Sequence, residues 1–189
     1  FKLCLAGATA VALNAAPVAV FAKDEPLKVA FVYVSPANEE GWSSQHDIAR
    51  KFVEEKFGDK IKVTWIENIP ENADAQRVIR DLAQQGNKII FATSFGYMNS
   101  VMKVAKQFPN VYFEHATGYK TSKNVKNYTA RFYEGRYLAG MLAAATTKTN
   151  VLGYVAALPI PEVFQGINAY TLGARAVNPN IEVRVVWTS

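Results

Sequence analysis

From residue 27 onward, blocks of hydrophobic and polar positions alternate between two periods. Leu27-Lys28-Val29-Ala30-Phe31-Val32-Tyr33-Val34 is rich in β-branched and aromatic residues and predicts a buried strand. Residues 45–57 place Ile48, Phe52, Val53 and Phe57 at helical spacing. They predict a helix with those four facing a core and Gly58 as its stop. Residues 61–66 form a second predicted strand. Residues 73–85 form a second helix, with Val78, Ile79, Leu82 and Ala83 inward and Gly86 ending it. The cycle continues with a strand over 88–92, a helix over 98–108 stopped by Pro109, a strand over 111–114 and a more polar, edge-like strand over 127–132. Strands separated by single helices form right-handed crossovers, hence a parallel sheet covered on both faces.

Residues 134–147 are apolar on nearly every side, so they are expected to be a buried helix. Thr146-Thr147-Lys148-Thr149-Asn150 reads as a polar linker, and the alternation then restarts. A strand over 151–157 leads to a helix over 161–177 with Pro161 at its start, then a strand over 181–187. The organisation expected is a first α/β lobe over 27–146 and the start of a second over 147–189, with a hinge near 146–150.

Residues 1–22 stand apart, with Lys2 as their one charge and Val20-Phe21-Ala22 as a small-residue end before Lys23-Asp24-Glu25-Pro26. They read as a signal peptide, too short and broken for a membrane span. Cys4 is the one cysteine, and Leu3 before it does not suit lipidation. Cleavage before Lys23 would leave no disulfide, thiol nucleophile or Cys-based metal site. Because the chain starts at Phe1 and ends inside a β-like run, both ends are expected to be cut.

Half of the residues are hydrophobic and the net charge is +5. The basic residues are scattered among acids rather than gathered on one face with stacking aromatics, so a nucleic-acid partner is not expected. Residues 120–126 carry Lys120, Lys123 and Lys126 and read as a solvated loop.

In open parallel sheets ligands gather beyond the carboxyl ends of the strands. That rule selects residues 35–44, 93–97, 115–119 and 158–162. In the first three an aromatic adjoins a glycine: Trp42 after Gly41, Phe95 before Gly96, Tyr119 after Gly118. Flat rings at a strand-end crevice suit stacking on a ring, and nearby hydroxyls suit orienting it. His115, at the end of the fourth strand, is the better site candidate of the two histidines, with a satisfied structural histidine as the other reading. No dinucleotide or phosphate loop is present, and no catalytic or metal-binding constellation emerges. The expectation is a binding protein without cofactor, not an enzyme. Two other classes stay open: a ligand-sensing regulator, which would need a helix-turn-helix, and an α/β enzyme with its chemistry elsewhere.

Five stretches stand out: Asn38-Glu-Glu-Gly-Trp-Ser43, Ala92-Thr-Ser-Phe-Gly96, Phe108-Pro-Asn-Val-Tyr-Phe113, Phe132-Tyr-Glu-Gly-Arg-Tyr-Leu-Ala-Gly140 and Ala174-Arg-Ala-Val-Asn-Pro179. Together they resemble the basic membrane protein (BMP) family of ABC-transporter substrate-binding proteins, which includes purine nucleoside receptors. The resemblance implies a type I periplasmic-binding-protein fold whose two lobes close on ligand. It implies Trp42 as one face of an aromatic sandwich around a purine, Ser43 at a base-contacting position, and Phe95 lining the pocket. Gly135 and Gly140 would permit close helix packing. Thr117 stands where many nucleoside receptors carry Asp, so a nucleobase or another flat heterocycle is an alternative to a nucleoside, and a sugar or other small polar solute is the runner-up. The implied protein is a periplasmic monomer whose partner is an ABC permease in the inner membrane.

Overall fold

The computed structural model describes residues 25–188, and the signal-peptide reading lies outside the described residues. The elements run β1 (Leu27–Val32), α1 (Trp42–Phe57), β2 (Ile61–Ile66), α2 (Ala73–Gln84), β3 (Ile89–Ala92), α3 (Met98–Gln107), β4 (Tyr112–Ala116), β5 (Val125–Tyr128), α4 (Phe132–Thr146), β6 (Val151–Ala156), α5 (Pro161–Val177) and β7 (Glu182–Trp187). The first five strands form one parallel sheet in the order β2-β1-β3-β4-β5, and β6 and β7 pair in a second parallel sheet.

Successive strand residues point to opposite faces. On one face Ala30, Val32, Ile90, Phe113 and Val125 meet Ile79 and Leu82 of α2 and Val101 and Val104 of α3. Each such aliphatic side chain stabilises the fold by about 1.5–3 kcal/mol through burial. The helices are sharply bounded. The Asn72 side chain caps α2 by accepting the Asp74 N–H at 2.8 Å, and Gly86 beyond its end takes φ 87°.

The other face is aromatic. Phe31 and Phe91, paired across β1 and β3, stack with centroids 4.5 Å apart. The helix over this face departs from expectation. Ile48 and Phe52 are 58% and 60% exposed, while Ser43, Asp47 and Arg50 are buried. Polar groups turn inward because they satisfy one another. Arg50 Nε donates to Asp47 at 2.6 Å, Tyr33 OH donates to the same carboxylate at 3.4 Å, and the guanidinium lies 3.8 Å over the Trp65 ring. Burial pushes the Asp47 carboxyl up, but the hydrogen bonds from Arg50 and Lys51 bring it below its ordinary value.

Strand β5 begins and ends earlier than the sequence pattern implied. The Asn124 side-chain amide donates to the carbonyls of Ala105, Phe108 and Val111 at 2.9–3.1 Å and pins the strand's start. The chain leaves the sheet after Tyr128, and Phe132 opens α4 instead of ending a strand.

Helix α4 is not a buried helix of the first sheet. Only Gly140 and Ala144 are buried, and Leu138 and Leu142 are 65% and 67% exposed. It packs on α5, sharing a small core of Ala144, Leu152, Ala174 and Ile181. A Cβ at Gly140 would overlap the Tyr170 carbonyl, and one at Gly173 would overlap the Tyr137 carbonyl, so the two backbones touch. Gly135, expected to share that role, faces open space. Residues 129–131 thus link β5, which contributes to the first core, to α4, which contributes to the second.

Candidate functional site

An open cleft of about 1260 Å³ runs along the carboxyl ends of the strands. The first unit contributes Trp42, Phe95, Thr117 and Tyr119 to its wall, and the second contributes Tyr154 and Glu162. The volume exceeds the ~300–1,000 Å³ usual for a small-molecule site.

Trp42 is the first residue of α1, one step past Gly41, whose φ of 125° turns the chain into the helix. Its indole N–H donates to the Thr93 carbonyl, and the Thr93 hydroxyl donates to the Val32 carbonyl at 2.8 Å. The ring is thereby fixed to the ends of β1 and β3 and offers its faces, not its N–H. His46 lies on it with centroids 4.8 Å apart, and Phe132 stands 5.9 Å away. Burial holds the His46 imidazole below its ordinary pKa.

Phe95 follows β3 in a short 3-10 turn, with its ring 6.4 Å from Tyr119. The turn is tied down by Glu71, whose carboxylate accepts the Ser94 hydroxyl and, at 2.9 Å, the Gly96 N–H. Thr117 reaches the wall in the left-handed region at φ 60°, with its N–H donating to the Tyr128 carbonyl at 2.9 Å. A β-branched residue at positive φ is strained, and such strain persists where surrounding structure enforces it.

Ser43 and His115 sit behind this wall. Ser43 is buried; its hydroxyl accepts the Ser35 N–H at 3.2 Å and lies 2.8 Å from the Ser35 hydroxyl, closing the loop after β1. His115 lies inside β4 with no exposed surface. Its Nε2 donates to the Ser94 carbonyl at 2.7 Å, its Nδ1 is 3.2 Å from the Asn127 amide oxygen, and Gly118 lies flat against the ring. Burial lowers its pKa against the opposing effect of the Ser94 and Asn127 contacts, and the neutral ring, protonated at Nε2, ties β4 to the end of β3. The structure thus brings Trp42, Phe95 and Thr117 to one surface and leaves Ser43 and His115 beneath it.

Sequence reasoning missed Phe132, Arg136, Tyr154 and Glu162 as wall residues. Glu162 lay within a strand-end segment already selected, 158–162, but without an adjacent aromatic to draw notice. Phe132 and Arg136 were hidden by placing their segment in a strand and a buried helix. Among the described residues no group of three or more His, Cys, Asp or Glu is arranged to hold a metal ion, and no helix is long and apolar enough to cross a membrane.

The sequence and the fold have relatives. A purine-binding protein of Brucella abortus (strain 2308) is 54% identical over 166 residues, 88% of this chain and 47% of that protein. A putative ABC transporter glucose-binding protein of Haloferax volcanii is 44% identical over 165 residues, 87% of this chain and 42% of that protein. The chain thus spans about half the length of the curated relatives it matches. The crystal structure of an ABC transporter solute-binding protein from Aeropyrum pernix K1 superposes with a TM-score of 0.69 at 21% identity, over 86% of this chain and 47% of that one. At that identity the likeness speaks for the fold alone, the type I periplasmic-binding-protein architecture. The family model described as ABC transporter substrate-binding protein PnrA-like covers residues 27–189, and the chain belongs to that family, Bmp.

Proposed function

We propose that this chain is part of the solute-binding component of an ABC importer and takes a purine, as nucleoside or nucleobase, between its two α/β units. The carrying observation is the wall of Trp42, Phe95 and Tyr119 at the strand ends, with the Trp42 indole held by its N–H to the Thr93 carbonyl. The relative named as purine-binding, at 54% identity, supports the same ligand class. In this reading Trp42 stacks on the base and Phe95 and Thr117 line its edge. Ser43 and His115 hold the loops that present them. The two units close about the crossover at residues 129–131. The protein works as an exported monomer, delivers its ligand to a membrane permease and does no catalysis. A sugar is the second reading, favoured by the 44% identical relative named as glucose-binding.

Titration calorimetry of the full-length protein tests the proposal. Trp42→Ala should weaken purine binding by about 1–3 kcal/mol, the scale of aromatic–base stacking, and Trp42→Phe should retain most of it. Because the indole N–H also braces Thr93, the melting temperature without ligand is read alongside. Unchanged purine affinity in a folded Trp42→Ala protein would remove the central residue of the site, and glucose binding without purine binding would favour the second reading.

A further inference from the structure

Between Asp81 and Glu134 the chain carries six lysines and one arginine against a single acid, Glu114. The fold sorts these charges. Phe113 enters the core shared with α3, so Glu114 points to the opposite face of the sheet, where the register sets it beside Lys126. No acid of this segment is left on the α3 side.

Residues 120–124, expected to be a solvated loop, are instead a strap laid along α3. The Lys120 ammonium donates to the Asn99 side-chain oxygen at 2.8 Å, in the first turn of the helix. The Asn124 amide donates to the Ala105, Phe108 and Val111 carbonyls around its end. Between them Ser122 bridges to Val125, and the Asn127 amide donates to the Lys120 carbonyl at 3.0 Å. Asn99, Met102, Lys103 and Lys106 are neighbours on one side of α3. With Lys120 they line a concavity of about 310 Å³ that shares no residue with the cleft. That volume is at the lower end of small-molecule sites, ~300–1,000 Å³. Lys103, Lys106 and Lys120 make no ion pair among the described residues. Arg80 of α2 meets the end of α3 through the neutral Gln107, at 3.2 Å.

We propose that this pocket binds a phosphate group, as the inorganic ion or a phosphomonoester. Such a group carries about −1.5 to −2 charges at pH 7 and three strong acceptor oxygens, one for each ammonium. Lysine meets it as a point charge. A single carboxylate brings one charge and two oxygens, which leaves an ammonium unmatched. A nucleic-acid strand would call for stacking aromatics, and none lines the pocket. Lys106, in the last turn of α3, also interacts favourably with the helix dipole, so stability is read beside binding.

Inorganic phosphate is titrated into the full-length protein at constant ionic strength, with chloride as the comparison, and backbone amide shifts are followed by NMR. Shifts at residues 99–106 and 120–124 should saturate with phosphate and not with chloride. Lys103→Gln combined with Lys106→Gln should weaken phosphate about tenfold or more, the scale of a lost charged hydrogen bond. Lys56→Gln combined with Lys62→Gln removes the same charge from exposed positions elsewhere and should change it by less than about twofold. Melting temperatures show that each variant is folded. Shifts that never saturate, or equal weakening in both double variants, overturn the proposal and leave the lysines as a solvated surface. Saturation by an oligoglutamate peptide but not by phosphate overturns it in favour of an acidic protein partner. Where phosphate saturates, vesicles separate the sources. Co-sedimentation with phosphatidic acid vesicles but not with phosphatidylcholine, lost in the Lys103→Gln, Lys106→Gln variant, supports the site with a lipid headgroup in it, and no co-sedimentation supports it with the soluble anion.

Discussion

The two faces of the five-stranded sheet are covered by helices of similar length and opposite chemistry. Under α2 the contact is aliphatic: Ile79 and Leu82 are fully buried against Ala30, Val32 and Ile90. Under α1 it is an ion pair, with Asp47 and Arg50 each 4% exposed and held between Tyr33 and Trp65. Aliphatic burial is non-directional, so α2 has only to present the right stripe. An ion pair fixes rotation as well as position, and α1 carries Trp42 in its first turn. The helix that positions the proposed stacking ring is thus the one whose orientation is set by directional bonds.

Breaking that pair gives the largest expected effect. Arg50→Ala leaves the Asp47 carboxylate buried without its main partner, which costs about 3–5 kcal/mol when a buried pair loses one member. Replacing both, Asp47→Leu with Arg50→Met, should recover most of that stability, since apolar substitutes for a buried pair are often neutral or better. Chemical denaturation measures both variants. If the charges set the rotation of α1, the recovered double variant should still bind purine more weakly than wild type. Full binding in the double variant would show that the ion pair does not orient Trp42.

A third kind of packing sharpens the contrast. Helices α4 and α5 meet neither by stripe nor by charge but backbone to backbone at Gly140 and Gly173. Gly140→Ala must push the helices apart and should cost about 1–3 kcal/mol, as overpacking does. Gly135→Ala, in open space on the same helix, should be neutral or slightly stabilising because alanine is the better helix former. Thermal melts of the pair decide it, and equal effects would count against the close crossing.

These contrasts mark what was legible in the sequence. Helix α5 was bounded correctly by Pro161 and Val177, and α2 to within a residue, because caps and an apolar stripe act locally. The strand-end rule located Trp42, Phe95 and Thr117 because parallel topology follows from the alternation itself. The orientation of α1 was not legible. Ile48 and Phe52 have the spacing of a core face, and the inward turn of Asp47 and Arg50 depends on the distant Tyr33 and Trp65 as well as on their local partners. The environment of α4 was missed for a related reason: an all-round apolar helix signals burial but does not name its partner. His115 was placed just past its strand, with a satisfied structural histidine as the other reading, whereas β4 runs on to Ala116, farther than its hydrophobic pattern.

The sheet also changes along its strands, and pH gives the smallest expected effect. Phe113 sits in the aliphatic core, while His115, two residues on, is buried among polar groups at the strand end. Its folded pKa is lowered from 6.5 by burial, and the His46 pKa is lowered with the same leading cause. In the unfolded chain these rings gain protons below about pH 6.5, while in the fold they stay neutral to a lower pH. Stability should therefore be full above that value and decline as pH falls through it, by at most about 1.4 kcal/mol per pH unit for each ring. Asp47, lowered from 3.8, loses its contribution only in stronger acid, outside this window. Melting temperatures of the ligand-free protein between about pH 7.5 and 5.5 should fall by a few degrees. His115→Gln keeps a donor for the Ser94 carbonyl but cannot take up a proton, so the slope against pH should flatten whatever happens to the absolute melting temperature. An unchanged slope in that variant would mean that His115 is not the group through which acid loosens the ends of β3 and β4.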